Sequence, residues 1–154
     1  MTRQEINILT FYCVGTFVLS IAILCVALCS SAHAQLQPSK IDMKKIMMIE
    51  SGGCAIRVGR SGEIGLYQIS PVVLLEYNER HNSNYGRHHL FIPKINTKIA
   101  LWYLDKRIPQ MLRYFKKPVT IENIIISYNA GIAYVAHDRE IPKITKRYLE
   151  KYNE

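Results

Sequence analysis

An all-α fold, with at most a short β-hairpin, is predicted for this chain by three features of its sequence. Apolar residues recur at helical spacing, as at Met43, Ile46 and Met47. Residues that favour helix starts and stops flank the apolar stretches. No segment alternates apolar and polar residues over the length of a strand. The chain is therefore expected to form helices joined by polar loops.

The N-terminal segment has the pattern of an export signal. It carries no formal charge from Ile6 to Ser39, and the sequence SSAHAQ contains the small-x-small form of a signal-peptidase site. We predict a signal peptide at residues 1–34 and a mature domain at residues 35–154, with an uncleaved inner-membrane anchor as the alternative. Either outcome predicts a periplasmic or other extracytoplasmic location for the domain.

Charge and cysteine content limit the function classes. The net charge of +8 suits an anionic partner, such as cell-wall glycan with peptide carboxylates, a phosphate-rich wall polymer, a membrane surface or nucleic acid. The export signal argues against nucleic acid. Cleavage of the signal leaves Cys54 as the single cysteine, so we expect no internal disulfide.

The first helix of the mature domain is predicted to begin at Met43. The sequence SKID, which precedes it, has the form of a capping box, and a Gly-Gly pair follows Ser51. Glycines recur up to Gly65 and disfavour helix there, leaving room for a short hairpin between Gly59 and Ile69.

Four further helix starts are marked by proline or by a capping residue. Ser70 and Pro71 are a plausible cap and first turn for a helix over 72–80, and HNSNYGRHH is expected to be a loop. Pro93 begins the next helix, with Ile95, Ile99, Trp102 and Leu104 on its buried side and a break or kink at Pro109. Thr120 is predicted to cap a helix over 121–128 that stops at Gly131, and Pro142 to start the last helix, 143–152.

Glu50 occupies the next position on the apolar face of the first helix, where another Leu or Ile would be expected. Flanking apolar residues and the carbonyl end of the helix both disfavour its charged form. A glutamic acid that keeps its proton near neutral pH is suited to general acid catalysis. The alternative is an ordinary Glu that points into solvent from a frayed last turn.

Two further segments contain groups that suit a sugar ligand. In GEIGLYQISP, Gly65 permits an unusual backbone conformation or a close approach to a ligand, and Gln68 offers both donors and acceptors. In SYNAG, Tyr128 and Asn129 end an apolar helix. Each segment by itself is also explained by a tight turn or a helix terminus.

Taken together, these segments resemble the catalytic domain of the soluble lytic murein transglycosylases, a family with a goose-lysozyme-like all-α fold. The order is Glu-Ser, then Gly-Leu-x-Gln, then Tyr-Asn-Ala-Gly. The segments PKINTKIALWYL and IPKITKRYLEKY are similar to two further family motifs, Pro-x-x-Asn with a following Tyr-Leu and Pro-x-x-Thr-x-x-Tyr. The resemblance covers nearly all of residues 41–152 and implies a lysozyme-like helical domain.

The resemblance implies roles for nine residues. Glu50 matches the catalytic acid and base, and Ser51 matches the serine that helps to place it. The expected substrate-binding residues are Ser51, Gly65, Leu66, Tyr67, Gln68, Tyr128, Asn129 and Tyr148. This sequence departs from the family at four positions: Tyr67 replaces Met, Ser127 replaces Ala, Ala100 replaces Gly and Ile144 replaces Glu. Tyr67 is expected to narrow or re-aim a saccharide subsite, whereas Tyr77, Tyr103 and Tyr114 are expected to be packing residues.

The implied activity is that of a peptidoglycan lytic transglycosylase, a carbon-oxygen lyase that forms 1,6-anhydromuramyl ends without cofactor or metal. A family member needs one carboxylate, because the muramyl C6 hydroxyl of the substrate is the nucleophile. The small size resembles members that open the wall for secretion or conjugation machines, so the expected partners are glycan strands and such envelope components, with the protein itself a monomer.

Two alternatives remain open. A lysozyme-like muramidase would need a second carboxylate in the cleft, for which Glu63 is the best-placed candidate, although a solvated loop charge is the simpler explanation. A non-catalytic peptidoglycan-binding assembly protein is the other alternative. A metal site is not expected, because no Cys-x-x-Cys or His-Glu-x-x-His spacing occurs.

Overall fold

The computed structural model describes residues 41–154, which all lie in one compact unit of the chain. The predicted signal peptide and the first two residues of the SKID segment, Ser39 and Lys40, lie outside the described residues. Seven α-helices occur in the described part of the chain: α1 (Met43–Ser51), α2 (Pro71–His81), α3 (Pro93–Trp102), α4 (Ile108–Tyr114), α5 (Ile121–Ala130), α6 (Ile132–Ala136) and α7 (Lys143–Asn153). A 3₁₀ turn spans Arg87–Phe91. The predicted all-α class is confirmed.

Helix α1 begins at the predicted residue, but its cap is Asp42. The side chain of Asp42 accepts hydrogen bonds from the backbone N–H groups of Lys44 and Lys45, which have no partner inside the helix. At the other end Gly52 adopts the left-handed conformation, with φ 65°, and closes the helix after Ser51. These two local signals place Glu50 in the last turn of α1.

Residues 52–70 form no helix, as predicted, and are organised by single antiparallel pairings. Ile64 pairs with Val58 on one side and with Ile69 on the other. Gly65 has φ +83°, and a Cβ atom there would collide with the Asn96 side chain and the Leu90 carbonyl. Its glycine identity is therefore explained by close contact within the protein.

Asn96 anchors this glycine-rich segment from the first turn of α3. It is fully buried, its Oδ1 accepts from the backbone N–H of Tyr67, and its Nδ2 donates to the carbonyls of Ile64 and Leu90. Every buried polar side-chain atom in residues 41–154 has a hydrogen-bond partner. Because an unsatisfied amide in the core costs about 1–3 kcal/mol, these three bonds position the segment firmly.

The predicted break or kink at Pro109 takes the form of a π-helical turn, Tyr103–Arg107, that joins α3 to α4. The N–H of Ile108 donates to the carbonyl of Tyr103, so the hydrogen-bond register changes just before the proline. This change accommodates the proline ring while the chain stays helical. Ile99 and Leu104 are fully buried, as predicted, and Ile95 and Trp102 are partly buried against the core.

Helices α5 and α7 complete the frame around the site. Thr120 caps α5 and Gly131 ends it, as predicted, and α5 packs against α4, α6 and α7. Helix α7 also packs against α1, which brings the last helix of the chain beside the first described one. The sequence did not predict the short helix α6 or the 3₁₀ turn.

The three tyrosines expected to be packing residues behave differently. Tyr77 is buried, and Tyr103 is half-buried. Tyr114 is 81% exposed, so the expectation that it packs in the core is wrong. Within residues 41–154, no helix combines the length and the apolar character that crossing a membrane requires.

Candidate active site

A cleft of about 480 Å³ lies between the end of α1, the glycine-rich segment, the start of α2 and the end of α5. Its lining residues are Glu50, Arg57, Glu63, Gln68, Ile69, Ser70, Val73, Tyr103, Ser127, Tyr128, Asn129, Ala130 and Gly131. Four predicted site residues, Glu50, Gln68, Tyr128 and Asn129, are among them. The structure thus brings together residues that are up to 79 positions apart in the sequence.

Glu50 has the environment of a general acid. Burial raises the pKa of its carboxyl group from the ordinary 4.5 to about 7, and the nearby Glu63 charge acts in the same direction. The Tyr148 hydroxyl and the charge of Arg57 lower this pKa, but their combined effect is smaller than that of burial. At neutral pH a large fraction of Glu50 therefore still carries a proton.

The hydrogen bond from Tyr148 determines which oxygen of Glu50 can carry that proton. The Tyr148 hydroxyl lies 2.9 Å from Oε1 of Glu50 and donates to it. Burial and the nearby Glu50 charge raise the pKa of Tyr148, so its hydroxyl keeps its proton and remains a donor. In the neutral acid the carbonyl oxygen is the better acceptor, so the bond from Tyr148 favours Oε1 as the carbonyl oxygen and Oε2 as the oxygen that holds the transferable proton.

Tyr128 and Asn129 reach the cleft from the last turn of α5. The Tyr128 hydroxyl donates to the carbonyl of Tyr67, which ties α5 to the glycine-rich segment. Oδ1 of Asn129 accepts a hydrogen bond of 2.7 Å from the Thr145 hydroxyl. Since the oxygen is used inside the protein, the amide N–H₂ of Asn129 is the group available to a ligand acceptor.

Gln68 offers the cleft a hydrogen-bond acceptor, whereas Asn129 offers a donor. Its backbone is left-handed, with φ 47°. Its Nε2 donates to the carbonyls of Gly65, at 2.9 Å, and Arg57, at 3.2 Å. The donors of the amide are thus satisfied within the segment, and the carbonyl oxygen remains for a ligand hydroxyl or N–H. A polymer of N-acetylated sugars offers acceptors for Asn129 and donors for Gln68.

The other predicted substrate-binding residues lie behind the cleft surface. Ser51 is buried and donates to the Leu66 carbonyl at 2.8 Å, so it links α1 to the glycine-rich segment. Tyr67 is 5% exposed, and Gly65 is buried against Asn96. Because the Tyr67 ring is buried, nothing in the geometry supports its predicted narrowing of a subsite. The role of these residues in substrate binding stays a prediction.

The sequence did not predict three residues that the structure places at or beside the cleft. Tyr103, expected to be a packing residue, lines the cleft from the π-helical turn, with its ring centroid 6.0 Å from that of Tyr128. Arg57 lines the cleft but belongs to none of the recognised motifs. Thr145, in α7, orients Asn129 through a hydrogen bond. The sequence contained a clue to this position, because Thr145 lies three residues before Tyr148 and therefore on the same helix face.

Glu63, the candidate second carboxylate, does line the cleft. Its Oε2 accepts a hydrogen bond of 3.1 Å from the backbone N–H of Ser61. It is close enough to Glu50 for its charge to raise the pKa of that carboxyl group. In residues 41–154 no group of three or more His, Cys, Asp or Glu side chains could hold a metal ion.

Comparison with protein families gives one match. Residues 30–150 match the family model described as the Transglycosylase SLT domain. No curated protein and no solved structure shows a match to this sequence. The family match spans every residue that lines the cleft and most of helix α7.

Proposed function

Because the chain belongs to the SLT transglycosylase domain family, we propose that it is a peptidoglycan lytic transglycosylase. The proposed reaction cleaves the β-1,4 bond between N-acetylmuramic acid and N-acetylglucosamine without water and leaves a 1,6-anhydromuramyl end. The observation that carries this proposal is the partly buried carboxyl group of Glu50 at the cleft surface, whose pKa is raised by burial to about 7.

In the first step, the protonated Oε2 of Glu50 donates its proton to the glycosidic oxygen as the bond from that oxygen to C1 of the muramyl residue breaks. The N-acetylglucosamine portion leaves with a hydroxyl group. The Tyr148 hydroxyl, which donates to Oε1, stabilises the carboxylate that forms at this moment. The neutral state of Glu50 before the step follows from its burial.

In the second step, the Glu50 carboxylate accepts the proton of the muramyl C6 hydroxyl as that oxygen bonds to C1. The proton count closes, because Glu50 ends protonated and ready for another cycle. An intramolecular nucleophile needs little activation when the ring is held in the reactive geometry. The donor of Asn129 and the acceptor of Gln68 are suited to hold the N-acetyl and hydroxyl groups in that geometry.

A lysozyme-like muramidase is the second candidate, and the position of Glu63 favours it. Hydrolysis needs a second carboxylate to activate water or to act as a nucleophile. Glu63 lines the same cleft as Glu50 and influences its pKa. The two candidates therefore differ in one question, which is whether water or the C6 hydroxyl attacks C1.

Mass spectrometry of the sugar ends that the purified protein releases from sacculi decides between them. Anhydro ends, lighter than reducing ends by one water, are expected from the wild type. Glu50→Gln should lower the rate about 10²- to 10⁴-fold, because it removes the transferable proton. Reducing ends that disappear in Glu63→Gln would identify the muramidase instead. Binding to sacculi without release by the wild type would contradict both and indicate a non-catalytic wall-binding protein.

We also propose that the protein acts outside the cytoplasmic membrane as a monomer and opens the wall locally for a secretion or conjugation machine. The apolar N-terminal segment and the net charge of +8 support an exported protein with a wall substrate. Fractionation of cells tests the location. Copurification with an envelope complex, compared with general wall defects in a deletion strain, tests the role.

A further inference from the structure

Arg57 has no role in the two proton transfers, yet it lines the cleft. It is the only lining residue in the described part of the chain with a cationic side chain. None of the ion pairs found within residues 41–154 includes it. Its guanidinium group therefore has no carboxylate partner at ion-pair distance within the described residues, although its charge acts on Glu50.

The backbone of Arg57 is fixed at this position. Its carbonyl accepts hydrogen bonds from the Gly65 N–H, at 2.8 Å, and from Nε2 of Gln68, at 3.2 Å. Gly65 is in turn held against Asn96. The guanidinium therefore extends from an anchored residue of the cleft wall, although the side chain itself is exposed to solvent.

A cation at this place acts against the proposed catalysis. Its charge lowers the pKa of Glu50, which favours the ionised form of a group that must be protonated. The pyranose rings, with their hydroxyl and N-acetyl groups, offer no charge in return. A benefit of Arg57 must therefore come from a charged part of the substrate.

Peptidoglycan carries carboxylates next to the bond that is cleaved. In strands with stem peptides the lactyl carboxyl group is amidated, and the free carboxylates belong to the peptide. In strands without peptides the lactyl carboxylate itself is free. A guanidinium group forms paired, charge-assisted hydrogen bonds with either kind of carboxylate.

We infer that Arg57 is the carboxylate-binding residue of the cleft, and that it makes the protein prefer glycan strands that carry a free carboxylate near the scissile bond. This inference rests on the proposed function, since it takes the cleft to be the glycan-binding site. It assigns a specificity role to a residue outside the recognised motifs.

Binding measurements in a Glu50→Gln background of the full protein test the inference, because they separate binding from turnover and from the pKa of Glu50. Three ligands are compared: strands with stem peptides, strands freed of peptides by an amidase, and the freed strands with their carboxyl groups capped as methylamides. Arg57→Gln is compared with Arg60→Gln, which removes the same charge three residues further on, outside the cleft lining.

We expect Arg57→Gln to weaken binding about three- to tenfold for at least one of the carboxylate-bearing ligands and to leave binding of the capped strands unchanged. A loss with peptide-bearing strands alone assigns the carboxylate to the stem peptide. A loss with peptide-free strands alone assigns it to the lactyl group. Arg57→Lys should recover only part of the loss, because an ammonium group lacks the paired geometry.

The inference would be overturned if Arg57→Gln bound each of the three ligands as tightly as its parent protein does. An equal loss in Arg60→Gln would also overturn it, since the effect would then be general charge attraction. The proposed reaction is tested separately by the sugar ends. Suppose that the wild type releases no anhydro ends while Arg57→Gln still weakens binding of the carboxylate-bearing ligands. That pair of results would contradict the reaction and support the carboxylate site.

Discussion

The cleft has two walls that are held in place by different kinds of contact. On the helical wall, side chains position side chains: Tyr148 and Thr145 of α7 hold Glu50 and Asn129 through hydrogen bonds. On the loop wall, residues 52–70, backbone groups are held by Asn96, by Ser51 and by the Tyr128 hydroxyl. The orientation of Glu50 and Asn129 therefore depends on helix α7, which is distant from both residues in the sequence.

The difference indicates where chemistry and where specificity reside. A change in a positioning side chain of α7 alters the state or direction of a reacting group directly. Apart from Gly65, whose close contacts leave no room for a side chain, the loop wall is expected to tolerate side-chain changes better, because its anchors bind main-chain N–H and C=O groups. The replacement of the family's Met by Tyr67 and the presence of Arg57 both occur on this wall.

The largest effect is expected from a change that breaks the anchor of the loop wall. In Gly65→Ala the new methyl group would collide with Asn96 and the Leu90 carbonyl, and φ +83° would be strained as well. We expect the free energy of unfolding to fall by about 3–5 kcal/mol, with loss of activity. Urea denaturation measures this effect.

Gly52→Ala is the matched control. Gly52 also has a positive φ, +65°, but a Cβ atom there meets nothing within 4 Å. Gly52→Ala should therefore lower the free energy of unfolding by only about 1 kcal/mol, from backbone strain alone. Equal losses in the two variants would show that the close contact with Asn96 does not anchor the wall.

The second-largest effect is the loss of folding stability that accompanies the raised pKa of Glu50 in the helical wall. The folded-state pKa of about 7 lies above the ordinary value of 4.5, so the wild type loses stability as the pH rises from about 4.5 to 7. Glu50→Gln has no such loss. It should therefore be more stable than the wild type by about 2–3 kcal/mol at pH ~8, with almost no difference at pH ~4.

Denaturation of both proteins at the two pH values checks this prediction. A stability difference that is the same at pH ~4 and pH ~8 would contradict the raised pKa of Glu50. The activity of the more stable variant is expected to be about 10²- to 10⁴-fold lower than that of the wild type. The result would show that the carboxyl group is retained for chemistry at the expense of stability.

The smallest effect is expected from Tyr148→Phe, which removes one hydrogen bond and keeps the ring. Since the hydroxyl lowers the pKa of Glu50, the variant should have a pKa above about 7. Activity requires the protonated acid, so its decline at alkaline pH should move upward by about 0.5–1 pH unit. At acidic pH the turnover should still be about tenfold lower, because the carboxylate that forms has lost its donor.

The pH profile of activity measures this shift, and Tyr152→Phe serves as its control. Tyr152 lies one turn further along α7, and its hydroxyl accepts from the Asp42 N–H instead of contacting Glu50. That variant should keep the wild-type profile. A profile of Tyr148→Phe that moves to lower pH would contradict the proposed direction of the hydrogen bond.

Much of the fold follows from local patterns in the sequence. The sequence did not identify Asp42 as the cap of α1. It correctly predicted the helix caps at Ser70 and Thr120 and the helix start at Pro93, because capping depends on residues within one helical turn. Glu50 was identifiable for the same reason, since a carboxyl group interrupts an apolar stripe of known period. The family motifs placed Gln68, Tyr128 and Asn129 at the cleft without any knowledge of distances.

Other features were decided only by the tertiary structure. The sequence left open whether Gly65 approaches a ligand or the protein, and packing against Asn96 answered the question. The sequence predicted substrate binding by Ser51 and Tyr67; the structure buries both side chains, and their role in binding stays a prediction. It missed the place of Tyr103, since a π-helical turn changes which residues share a helix face.

The sequence by itself determined most of the helices and their ends and singled out Glu50, because these features depend on residues that are neighbours along the chain. Only the tertiary structure determined that Glu50 accepts from Tyr148, that Oδ1 of Asn129 accepts from Thr145, and that Arg57 lines the same cleft. These properties depend on partners such as Tyr148, which is 98 residues from Glu50. Packing of α7 against α1 and α5 creates those contacts, and no local pattern encodes their geometry.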